Sequence, residues 1–154
     1  EIITEGLCKL YNIPYTIIRP SAVYGPMDMN RRVTQIFIEA AIKGEKITVE
    51  GSNEKLDFTY IDDLVDGLIL AATKFQGINE IFNITCGKGR KLIDFANILK
   101  KYFKNLEIKI KPRDKTKPSR GTLSIEKARK KLGYKPKIKI ETGIKNYLDF
   151  LNKI

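Results

Sequence analysis

The sequence predicts an α/β protein with a parallel sheet, and three observations carry that expectation. Helical and strand patterns alternate along the chain instead of falling into separate blocks. Tyr15-Thr16-Ile17-Ile18 and Ile81-Phe82-Asn83-Ile84 are short apolar runs suited to strands buried in a parallel sheet. Gly44, Gly51 and Gly133 stand where helical or strand periodicity stops.

Taken in order, residues 1–12 read as a helix, with Ile3, Leu7 and Leu10 on one face and Asn12 and Pro14 ending it. Glu1 already lies inside that pattern with no N-cap before it, so the expectation is that this is the later part of a longer sequence. Residues 15–18 form the first strand, and a helix followed by such a strand is the tail of a βαβ unit. Pro20 to Met29 is a loop, with Gly25-Pro26 as its turn. Val33, Ile36, Phe37, Ala40 and Ala41 share one face of a helix over 31–43, and Gly44 is its C-cap. A brief strand at 47–49 closes at Gly51. Asp62 or Asp63 is placed to cap a helix over 64–74, because a carboxylate accepts free N–H groups and suits the dipole. A strand at 81–84 follows. A helix over 91–103 shows a face of Leu92, Phe95, Ala96, Leu99 and Phe103. Next come a strand at 107–110, a basic loop at 111–121 with two prolines, and helices at 124–131 and 141–152.

Composition sets limits. No apolar run approaches the roughly 20 residues that span a bilayer, and no basic-then-apolar signal pattern opens the chain. Cys8 and Cys86 make no disulfide framework and sit in apolar patterns, so reduced, buried thiols and a cytoplasmic protein are expected. With no histidine and two cysteines, no metal site is expected. The net charge of +11 is uneven. Residues 1–87 carry 8 Lys/Arg against 12 Asp/Glu, a net of −4, whereas residues 88–154 carry 21 against 6, a net of +15. Such a split suits a lysine-rich solvated surface or an anionic partner.

Three motifs go further. The first is Arg19-Pro20-Ser21-Ala22-Val23-Tyr24-Gly25-Pro26, and the second is Asp57-Phe58-Thr59-Tyr60-Ile61-Asp62-Asp63. The third is Lys127-Ala128-Arg129-Lys130-Lys131-Leu132-Gly133-Tyr134-Lys135-Pro136 followed by Glu141-Thr142-Gly143-Ile144. In this order they resemble the C-terminal half of the extended short-chain dehydrogenase/reductase family, the NAD-dependent nucleotide-sugar epimerases and dehydratases. The resemblance implies the C-terminal part of a Rossmann-type parallel sheet plus a small α/β substrate-binding lobe, filling residues 1–154. The NAD-binding half would lie outside these residues.

The resemblance also assigns roles. Pro20, Ser21 and Val23 would border the nicotinamide of NAD. Ala22, Arg31, Arg32, Val49 and Arg120 would face a nucleotide-sugar substrate, and bidentate arginine suits its diphosphate. No catalytic residue is assigned. The family's Tyr-x-x-x-Lys pair, in which the lysine lowers the pKa of the tyrosine acid/base, is expected upstream of Glu1. The Gly-rich turn that seats a dinucleotide pyrophosphate is missing too, so this chain alone is not expected to bind NAD. The chain departs from the family at Ala22, where Asn is frequent, at Leu56, where Arg is frequent, and at Glu50, where an aromatic is frequent.

The activity implied is a nucleotide-sugar 4-epimerase, working by NAD-mediated hydride transfer at the sugar C4 in an intact homodimer. The alternatives are a 4,6-dehydratase or related reductase. From another class comes a basic module that binds nucleic acid through residues 88–154, with Tyr102, Phe103 and Tyr134 as stacking candidates.

Overall fold

The computed structural model describes residues 1–116 and 118–153. It is a mixed α/β structure in which three of four strand pairs are parallel. β1 (Thr16–Arg19) runs parallel to β6 (Glu80–Asn83), with Thr16 opposite Glu80 and Arg19 opposite Asn83. β2 (Val23–Tyr24) runs parallel to β5 (Thr59–Tyr60), and β3 (Ile47–Glu50) to β8 (Ile108–Lys111). β4 (Lys55–Leu56) pairs antiparallel with β7 (Arg90–Lys91). The helices are α1 (Ile2–Leu10), α2 (Val33–Ile42), α3 (Ile61–Thr73), α4 (Leu92–Tyr102), α5 (Glu126–Leu132) and α6 (Ile140–Leu151).

Two apolar clusters organise these elements. The larger joins β2, β3 and β5 to α2, α4 and α6, around the rings of Tyr24, Phe37, Phe58, Tyr60 and Phe95. Tyr24 meets Phe58, Tyr60 and Phe95 edge-on at centroid distances of 6.4, 5.5 and 5.9 Å, which suits the ring quadrupoles. The smaller cluster sets Phe82 and Ile84 against Ala71, Ile125, Ala128, Leu132 and Tyr134. Two glycines of the third sequence motif are packing devices here. A Cβ on Gly143 would lie 2.1 Å from the Tyr24 hydroxyl, so α6 can approach that ring only with glycine. Gly133 ends α5 in the left-handed conformation at φ 67° and turns the chain so that Tyr134 is buried.

Some expectations fail for physical reasons. α3 begins at Ile61, and no side chain caps it. Asp63 instead accepts from the backbone N–H groups of Lys137 (2.8 Å) and Ile138 (2.9 Å), clasping a distant segment that needs partners for its main chain. β1 is only half buried, because β6 is its single strand neighbour among the described residues. α1 buries no residue, leaving Ile2, Ile3, Leu7 and Leu10 exposed. Cys8 and Cys86 are half-buried, unpaired thiols. No helix among the described residues is long and apolar enough to cross a membrane.

Candidate functional site

The chain leaves β1 at Arg19 and runs through Pro20, Ser21 and Ala22 into β2. This loop lies at the carboxyl end of a parallel strand, where crevices of open α/β sheets form. Two hollows adjoin there. One, of about 510 Å³, has an apolar floor of Val33, Ile36, Phe37, Leu56 and Leu92. Its rim is polar, with Thr48, Glu50, Glu54, Arg113 and Asp114. The other, of about 650 Å³, is bounded by Pro20, Ser21, Ser119, Gly121 and Leu123. Ala22, Val23, Arg32 and Arg120 line both, so the two hollows form one cleft with a pair of guanidiniums at its waist.

Each arginine is placed by local structure. Arg32 is the extended N-cap residue of α2, and its Nη1 donates to the Val23 carbonyl at 3.4 Å. The remaining N–H groups of a guanidinium with five stay available. Arg120 sits on a strap, 118–124, that borders the cleft. Among the described residues it forms no ion pair. Beside it, Arg113 Nε pairs with Glu54 Oε1 at 2.8 Å, and the Ser119 hydroxyl donates to Glu54 Oε2 at 3.4 Å. Glu54 thus gathers the upstream part of the basic loop onto the rim. Lys117 lies outside the described residues.

The structure brings Pro20, Ser21, Ala22, Val23, Arg32 and Arg120 together in the cleft. It does not bring in Val49 or Arg31. Val49 is fully buried in the larger cluster. Side chains alternate along a strand, so with Ile47 and Val49 turned inward, Thr48 and Glu50 face the cleft. That alternation is readable in Ile47-Thr48-Val49-Glu50. Arg31 is exposed and adopts a left-handed φ of 49°, and its backbone N–H bonds to Gln35 Oε1 at 2.7 Å. Arg31 lines neither hollow. Ala22 is also left-handed, at φ 38°.

The cleft can hold an elongated ligand: a flat, weakly polar group over the apolar floor, an anion between Arg32 and Arg120, and a polar group toward Pro20 and Ser21. The residues present offer no cradle for a dinucleotide pyrophosphate. None of Gly25, Gly44, Gly51, Gly87 and Gly133, the glycines with positive φ, joins a strand to a helix in a G-x-x-G-x-x-G pattern. No cluster of three potential metal ligands occurs among the described residues. The aromatic residues proposed to stack nucleobases are largely occupied. Tyr134 is buried with its hydroxyl donating to the Thr85 carbonyl at 3.0 Å, and Phe103 packs against the larger core.

An α/β fold with two arginines lining a cleft at its strand ends is the class these residues define. Comparison with known proteins narrows that class. The profile of the NAD dependent epimerase/dehydratase family matches residues 1–85. The chain belongs to that family of NAD-dependent enzymes, as its three motifs imply. It is similar to a UDP-glucose 4-epimerase of Thermotoga maritima solved with UDP-glucose, with a TM-score of 0.90, 32% identity, and coverage of 99% of this chain and 50% of that one. It is also similar to a UDP-glucuronic acid 4-epimerase of Bacillus cereus, solved with UDP-glucuronic acid and NAD. There the TM-score is 0.86, with 26% identity and coverage of 99% and 51%. UDP-glucuronic acid decarboxylase 1 of Xenopus tropicalis is 29% identical over 159 residues, covering 98% of this chain and 37% of that protein. The chain therefore spans between 37% and 51% of the length of each of these relatives.

Proposed function

We propose that this chain is the nucleotide-sugar-binding part of a 4-epimerase. The observation that carries this reading is the pair Arg32 and Arg120 at the waist of a cleft whose two ends differ in polarity. A diphosphate sits between guanidiniums because each forms charge-assisted, fork-shaped contacts with its oxygens. The nucleoside then lies over Val33, Phe37, Leu56 and Leu92, with Thr48 and Glu50 at its edge. The sugar lies toward Pro20 and Ser21. Two of the three similar proteins described above are 4-epimerases of UDP-sugars, which favours epimerisation over decarboxylation or dehydration.

Reversible hydride removal at the sugar C4 is the chemistry NAD supplies in such an enzyme. The work of this chain is binding and orientation. Arg32 and Arg120 fix the diphosphate, and that fixes how far the sugar reaches past Ala22 toward Pro20. Residues 1–154 contain neither the Gly-rich turn nor a Tyr-x-x-x-Lys pair placed ahead of β1, so in this reading both come from outside these residues.

The test is calorimetric titration of the chain with UDP, UDP-glucose and UDP-glucuronic acid. Saturable binding of UDP is expected, weakened about 10- to 100-fold by Arg120→Ala, as for loss of a hydrogen bond to a charged group. NAD is expected not to bind at micromolar concentration. Equal UDP affinity of the wild type and Arg120→Ala would refute the role of Arg120, and tight NAD binding would refute the division of labour.

A further inference from the structure

We propose that Asp57 is a positioning residue for diphosphate binding, acting through the strap that carries Arg120. The inference rests on the reading of Arg120 as a diphosphate ligand and adds the device that holds it in place.

Asp57 is fully buried, yet no cation pairs with it among the described residues. Its Oδ2 accepts two hydrogen bonds, from the Thr85 hydroxyl at 2.9 Å and from the backbone N–H of Leu123 at 3.2 Å. Its Oδ1 is buried and faces no donor among the described residues. A buried carboxylate so thinly compensated is unfavourable for stability alone. An apolar side chain of similar volume would fill the space at lower cost. What the carboxylate secures is a main-chain amide 66 residues further on, three positions past Arg120.

Neighbouring contacts show what that amide does. The strap is pinned at three successive residues. The Gly89 N–H donates to Thr122 Oγ1 at 2.8 Å, Leu123 N–H donates to Asp57, and Asn83 Nδ2 donates to the Ser124 carbonyl at 2.9 Å. On the other side of Arg120, Ser119 bonds to Glu54. Arg120 is therefore the crest of a short arch with an anchor at each foot. The bond to Asp57 is the charge-assisted one at the downstream foot, and such bonds exceed neutral ones. Thr85 braces the carboxylate from behind: its hydroxyl donates to Asp57 and accepts from the Gly87 N–H at 3.2 Å. An arch fixed before the ligand arrives spares the ordering of a long side chain and its loop on binding.

The experiment is a double-mutant cycle on the chain, read as UDP affinity by calorimetry. Arg120→Ala removes the ligand contact, Asp57→Ala removes the anchor, and the third variant carries both. Asp57→Ala is expected to weaken UDP about 10-fold in the wild-type background, on the scale of one hydrogen bond to a charged group. In the Arg120→Ala background it should change affinity less than about twofold, because a residue that acts only through Arg120 has nothing left to position. Asp57→Asn keeps an acceptor for the Leu123 N–H and should recover most of the loss. An equal loss in both backgrounds would mean general loosening of the fold and would overturn the proposal, as would no loss in the wild-type background. If Arg120→Ala itself leaves UDP affinity unchanged, the underlying site reading fails, and the proposal with it. Should Asp57→Ala not fold, the same cycle with Thr85→Val decides. A loss confined to the Arg120-containing background supports positioning, and an equal or absent loss rejects it.

Discussion

The two apolar clusters differ in how far the chain itself encloses them. Among the described residues the larger holds 17 buried side chains, drawn from strands and helices alike. The smaller holds 7, and on its side of the fold β1 is half buried and α1 buries no residue. One region closes a core with its own residues, while the other presents a half-covered parallel pair and a helix with no buried face. Parallel strands usually have both faces covered, so the contrast marks where this chain's own packing runs out. It also places the cleft: the waist lies where the loop from β1 enters the lobe built on the larger cluster.

Deletion of core contacts is the strongest way to sharpen this contrast. Phe95 is 1% exposed, meets Tyr24 and Phe37 edge-on and lies tilted against Phe58. Phe95→Ala should lower unfolding stability by about 3–5 kcal/mol, the usual range for a large aromatic in a closed core. Leu10 is 70% exposed on α1, and Leu10→Ala should change stability by less than about 0.5 kcal/mol. Urea unfolding with a constant m-value measures both. If Leu10→Ala costs as much as Phe95→Ala, α1 is covered in solution and the contrast is broken.

What the sequence made legible follows the same division. Long amphipathic helices were readable because several turns repeat the pattern: 91–103 became Leu92–Tyr102, and 141–152 became Ile140–Leu151. β2, β4 and β7 were invisible, since each is two residues long and too short to show a period. They exist through pairing with distant segments, as Val23 with Thr59 and Leu56 with Arg90. Most of the cleft was found through the strand-end motif and Arg120. Val49 lies buried while its neighbours Thr48 and Glu50 line the cleft, as alternation along a strand dictates. Asp63 read as a helix cap because that role is local, whereas its observed partners lie 74 and 75 residues away. Asp57 stood inside a recognised motif, but its partner Leu123 could be found only in three dimensions.

A smaller effect should appear at the surface of the less enclosed region. Glu80, on β6, receives Lys127 and Lys131 from α5. Their hydrogen bonds are the main cause holding its carboxyl below the usual glutamate value of 4.5. Because the folded-state pKa is lowered, the contribution is fully present above pH 4.5 and is lost as pH falls through the lowered value. Glu80→Gln should therefore reduce stability at pH 6 and leave it unchanged at pH 2, so the two denaturation curves converge on acidification. Salt should shrink the difference, since this pair is partly exposed. Curves that stay parallel from pH 6 to pH 2 would show that these lysines do not hold α5 against β6 in solution.

The joint between the two regions gives the smallest change. Ala22 lies between β1, which belongs to the less enclosed pair, and β2, which enters the larger cluster. Its φ of 38° redirects the chain from one to the other, and its carbonyl accepts from the Thr59 N–H at 3.3 Å, tying the step to β5. For an L-residue with a Cβ, the left-handed region costs about 1–2 kcal/mol. Glycine relieves that strain but loses about 0.5–1 kcal/mol more backbone freedom on folding. The two partly offset, so Ala22→Gly should raise stability by at most about 1.5 kcal/mol. Ala22→Val should lower it, since a β-branched residue tolerates this conformation poorly. Opposite signs for glycine and valine in urea unfolding would establish that the backbone step itself, and not the methyl group's packing against the lobe, sets the energy of the joint. A loss with both would assign it to the methyl group.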